Sequence, residues 1–221
     1  MTPRLRKFAL TTHISVSVGW IGAVAAYLVL VVGAMANPDD QGLGAAWMAM
    51  ELVGRYAIVP LALASLITGL VMSLATPWGL FRHYWVLISF ALTCLATVVL
   101  LQHMPTVIAF ARLAADASAA DIAGLRAGLR GELFHAGVGL LVLLVVEALN
   151  VHKPQGLTAF GQRRLTEGDS PIRVARTPEV APRRERVART PVWVWVVGGH
   201  AFGLAVLFVI FHITSGGLRH H

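Results

Sequence analysis

Five apolar stretches, at roughly 8–35, 56–74, 84–111, 133–151 and 192–214, restrict this chain more than any other feature. A bilayer's hydrocarbon core is about 30 Å thick and takes roughly 20 apolar residues of helix to cross, and each stretch meets or nearly meets that length. Backbone groups that enter lipid must be paired within their own segment, so runs of this kind fold as helices. Charged residues are 13% of the chain and hydrophobic ones 57%, against about a quarter charged in soluble domains. The expected fold is therefore all-α, a polytopic transmembrane helix bundle of five spans. The first run follows Arg4, Arg6 and Lys7 and ends in Ala34-Met35-Ala36, as a signal peptide does. Yet a signal core has roughly 7–15 residues, so this longer run reads as an uncleaved first span.

Orientation follows from the basic residues between the runs. With the N-terminus inside, 13 of the 18 Lys and Arg face the inner side, among them Arg82, Lys153 and the arginines of 163–189. Arg55, Arg112, Arg126, Arg130 and Arg219 are left outside. That bias predicts an N-in, C-out protein. An excess of Arg over Lys, with abundant Ala and Gly, points to a GC-rich bacterial genome, and the expected location is a bacterial cytoplasmic membrane. Topology accounts for the positive charge, which leaves no nucleic-acid footprint to explain.

The expected organisation is a four-span bundle over 1–151, a connecting segment over 152–191, and a fifth span with its tail over 192–221. Within the bundle, 112–131 alternates Leu113, Ile122, Leu125 and Leu129 with charged positions, the pattern of a short amphipathic helix on the outer surface. The 152–191 segment is rich in Arg and Pro and repeats Val-Ala-Arg-Thr-Pro at 174–178 and 187–191. Low hydrophobicity and repeated prolines predict disorder. Such a segment serves as a topology-setting tether or binds anionic lipid. A protein partner or a homo-oligomer is equally open. Pro60 predicts a kink in the second span, with Ser65 or Thr68 helping to satisfy the freed backbone. Trp20, Trp47 and Trp85 read as interface aromatics near span ends.

Polar groups in lipid are expensive, so ionisable residues inside the spans are the candidates for chemistry. Under the expected topology His103, His135 and His212 gather toward the outer side from three spans, with Met104 beside His103. Neutral imidazole suits copper and zinc, and the thioether leans toward copper. His13 lies toward the inner side and His200 near mid-membrane. Either is a candidate ligand for a b-type haem, which would make the protein a transmembrane electron carrier. Glu147 is the acid well inside an apolar run, a candidate for pairing with a histidine or for moving a proton. Glu51 and Arg55 at i and i+4 predict a local ion pair. Phosphate loops, nucleophile elbows and HExxH helices do not occur, which leaves no motif for an enzyme.

Span one, with His13, Trp20 and Gly22 in an Ala/Val-rich helix, resembles the opening helix of CopD-like copper-resistance membrane proteins and of DUF2269-type bacterial membrane proteins. The segment from Thr76 to Trp85 and the Lys153-Pro154 pair are similar to parts of the DUF2269 type. This resemblance implies an integral bundle and, on the CopD side, a link to copper, and His13 is the histidine that matches the motif. The expected function is metal handling, with copper held by His103, Met104, His135 and His212 at the outer face. A haem-bearing electron carrier and a non-catalytic membrane subunit or scaffold are the alternatives.

Overall fold

The computed structural model describes residues 2–75, 79–115, 121–168 and 191–197, with 199 and 203. These residues are helical apart from short turns and one isolated antiparallel bridge, His83 to Leu157. The helices are α1 (Pro3–Ala36), α2 (Asp40–Val53), α3 (Val59–Ala75), α4 (Tyr84–Ala115), α5 (Ile122–His152) and α6 (Ala159–Gly168). A single π-helical turn, Gly54–Ile58, joins α2 to α3 without a break. Four continuous helices are thus long and apolar enough to cross a membrane: α1, the α2–α3 rod, α4 and α5. The fifth apolar run starts as helix at 192–197. Beyond 197 it lies outside the described residues, 199 and 203 apart, and His200 and His212 lie there with it.

The chain divides into two compact units. The first comprises Met1–Ala75 and Phe90–Ala148, and its core is a ridge along one face of α1. Ser17, Trp20, Val24, Tyr27, Val31 and Ala34 recur at alternating steps of three and four residues, so they share one stripe of the helix. Val31, Leu43, Trp47, Met50, Ala62 and Leu125 are wholly buried against this ridge. The opposite faces are bare and apolar: Phe8 and Val29 are each 70% exposed, and Ile67 and Leu74 nearly as much. In water that surface would be an aggregation liability; against lipid it is solvated.

Capping explains where the first helices start and stop. Thr2 accepts from Leu5 N, with Pro3 opening α1. Asp39 caps α2 by accepting from the backbone N–H of Gly42 at 2.9 Å and of Gln41 at 3.3 Å. Arg126, in the first turns of α5, donates to the carbonyls of Asn37 and Pro38 and pairs with Asp40 at 2.9 Å. It fastens α5 to the α1–α2 turn.

Three expectations change here. Residues 122–131 are not a separate surface helix but the opening turns of α5, with Leu125 and Leu129 in the core. Trp20 and Trp47 are core residues at 3% and 0% exposure, and Trp47 stacks on Phe110 at 4.6 Å. Packing has overridden the interface preference of tryptophan. Pro60 is accommodated upstream, by the π turn in which Val59 N–H donates to Gly54 O. The hydroxyls of Ser65 and Thr68 are engaged elsewhere.

The second unit comprises Thr76–Ser89 and Leu149–His221. Part of the segment expected to be disordered is built into it. Lys153 ends α5 in the left-handed conformation at φ 44°, and Pro154 follows. Tyr84 N–H donates to Gly156 O at 3.2 Å, and Thr158 N–H donates to Arg82 O at 3.0 Å. The Thr158 hydroxyl donates to Phe81 O and also accepts from Gly161 N–H, capping α6. A side chain at Gly161 would collide with the Arg82 carbonyl, so this close approach demands glycine. The Arg/Pro-rich stretch 169–190 lies outside the described residues.

Candidate functional site

Two polar clusters interrupt the apolar core of the first unit, and both are attached to the buried stripe of α1. The larger one is centred on Glu132, which is 2% exposed on α5. Tyr27 of α1 donates its hydroxyl to Glu132 Oε2 at 2.6 Å. From α4, His103 Nε2 lies 3.0 Å from each oxygen of the same carboxylate. His135, one turn beyond Glu132, stacks face to face on His103 with ring centroids 4.0 Å apart and an 8° angle between planes. Its Nδ1 donates to Gly131 O at 2.9 Å. A carbonyl can only accept, so this bond places the proton on Nδ1 and fixes the tautomer.

The chemistry of the cluster lies in the line between His103 and Glu132. A proton on Nε2 makes an imidazolium–carboxylate pair; passed across the 3.0 Å hydrogen bond onto the carboxyl, it makes a neutral pair with the same contacts. One proton therefore has two homes within a single hydrogen bond, and the Tyr27 hydroxyl donates to the same carboxylate.

The smaller cluster joins α1 to α3. His13 Nδ1 is 2.9 Å from Thr68 Oγ1, and one turn along Ser17 Oγ is 2.9 Å from Ser65 Oγ. Residue numbers rise along α1 as they fall along α3, so the two helices are antiparallel. The Thr68 hydroxyl spends its only proton on Ala64 O, at 2.7 Å. His13 must therefore be the donor, from Nδ1, which leaves Nε2 with its lone pair. Gly69 makes room for the ring: a Cβ there would stand 3.2 Å from His13 Cε1.

The structure brings together two of the histidines flagged by the sequence, His103 and His135, and adds Glu132 and Tyr27, which sequence reasoning passed over. His212 and His200 lie outside the described residues. Met104 is buried with its sulfur against Gly54, where a Cβ would stand only 3.0 Å away. That places Met104 on a different face of α4 from His103. Imidazole lone pairs lie in the ring plane, and one ion cannot lie in two nearly parallel planes, so the stacked pair as found does not chelate. Among the described residues, no three His, Cys, Asp or Glu are grouped to hold a metal ion. Glu147 is half-buried on α5, fifteen residues or roughly 22 Å along the helix from Glu132. The expected Glu51–Arg55 ion pair is present at 3.7 Å. Compared with protein-family models, curated proteins and solved structures, the chain matches none.

Proposed function

We propose that this chain is a multi-pass protein of a bacterial cytoplasmic membrane whose working centre exchanges a proton at Glu132. The observation that carries this reading is the buried carboxylate placed 3.0 Å from His103 Nε2 and capped by the Tyr27 hydroxyl. A buried ionisable group in a membrane bundle is expensive, and its retention marks a functional site. The same reading adopts five spans with the N-terminus inside, supported by the arginine-dense 152–191 connection and the apolar run from Val192.

Infrared difference spectra of the purified protein, recorded across a pH change, test the centre. The wild type should show a carboxyl band growing as an imidazole band changes. Glu132→Gln should abolish the carboxyl signal, and Glu147→Gln should keep it. An unchanged carboxyl band in Glu132→Gln would overturn the proposal. Labelling cysteines placed in 169–190 from each side of sealed vesicles tests the orientation.

One observation favours a second reading. By donating from Nδ1 to Thr68, His13 holds Nε2 as a free lone pair, the posture of a ligating histidine. A b-type haem ligated through that nitrogen would make the protein an electron carrier. A Soret band in the optical spectrum would support that reading. Stoichiometric copper or zinc would return the metal reading.

A further inference from the structure

We infer that the two polar clusters on α1 are the two ends of one transmembrane proton path, closed in this structure by an apolar plug at Trp20 and Val24. The inference rests on the Glu132 centre exchanging protons, and it adds a route and a gate.

The geometry is that of a single helix face. His13, Ser17, Trp20, Val24 and Tyr27 follow one another at steps of four, three, four and three residues, so they form one stripe along α1. At one end His13 and Ser17 are hydrogen-bonded to Thr68 and Ser65 of α3. At the other, Tyr27 is hydrogen-bonded to Glu132, which is held by His103. Every titratable group on this stripe is therefore at one of its two ends: His13 at the first, and Tyr27, with Glu132, His103 and the stacked His135, at the second.

Between the ends, Ser17 and Tyr27 are ten residues apart, roughly 15 Å along the axis. That is too far for one proton hop, and the gap holds Trp20 and Val24 at 3% and 7% exposure. Ile58 and Ala62 of the α2–α3 rod are buried in the same apolar core. Hydrogen-bonded groups thus stand on both sides of an apolar segment nearly three turns long. A structural role alone would explain either cluster by itself; it does not explain why both lie in register on one face with only apolar residues between them. Sealed at Trp20 and Val24, the path would conduct only when water or a hydroxyl enters the plug.

The full chain, reconstituted into liposomes loaded with a pH-sensitive dye and given a potassium-driven membrane potential, tests this. Wild-type vesicles should leak protons no faster than empty ones. Val24→Asn should raise the flux about tenfold, equivalent to ~1.4 kcal/mol off the barrier. Val24→Thr, which keeps the shape of valine, should move it in the same direction. The double variant Val24→Asn/Glu132→Gln should fall back to background. The path is overturned if both single variants stay sealed, or if the double variant conducts as well as Val24→Asn. A sealed pair of variants whose infrared spectrum still shows Glu132 exchanging its proton removes the path and leaves the centre. An infrared-silent Glu132 removes the centre itself.

Discussion

The two ends of the buried face of α1 solve the problem of polarity in lipid in opposite ways. Around Tyr27 the helix meets an acid, Glu132, which is 2% exposed and held by donors from two other helices. Around His13 and Ser17 the side-chain partners are the hydroxyls of Thr68 and Ser65, and among the described residues no acid joins them. The first end is ionic, and removing one member strands the others. The second is a neutral ladder, in which every lost bond can be replaced by a turn of a hydroxyl toward its own helix. One face of one helix thus holds a centre that must be kept whole beside a contact that tolerates loss.

Unfolding in detergent, by heat or by denaturing surfactant, ranks the two ends. Glu132→Ala should give the largest loss, about 3–5 kcal/mol, because it leaves the donors of a buried pair uncompensated. Tyr27→Phe removes one hydrogen bond to a charged group and should cost about 1.5–3 kcal/mol. Thr68→Val, at the neutral end, should cost only about 0.6 kcal/mol, the average for interhelical hydrogen bonds in membranes. A loss at Thr68 as large as that at Tyr27 would erase the distinction. A Glu132→Ala protein as stable as the wild type would reverse it.

The helices were legible because lipid imposes one rule, length with apolarity, and α1, α3, α4 and α5 obey it. The centre was half legible. His103 and His135 stood out as imidazoles at one depth, whereas Glu132 did not, because its charge looked like the boundary of an apolar run starting at Leu133. The missing signal was present three residues earlier. Leu125 and Leu129 lie on the core stripe of α5, and the next position on that stripe is Glu132. Reading 112–131 as a surface helix turned that stripe outward and hid the acid on it. The described part of the segment after α5 was invisible for another reason. It is held by backbone bonds between 79–84 and 153–161, which leave no periodic trace in side-chain character. Trp20 and Trp47 were misassigned by a residue preference that close packing outweighed.

The π turn at Gly54–Ile58 has an effect on phase. Along the α2–α3 rod from Leu43 to Ser65 the buried positions are Leu43, Trp47, Met50, Gly54, Ile58, Ala62 and Ser65. Their spacing alternates between four and three residues except at the middle, where three fours come in succession. In an uninterrupted α-helix that irregularity would swing Ala62 and Ser65 away from α1. The wider turn absorbs one surplus residue, so the two halves of the rod stay aligned and Ser65 still faces Ser17. A shorter version of this chain, lacking one residue between 54 and 58, would form an ordinary helix with the same contacts. The rod therefore takes up one extra residue within a single turn.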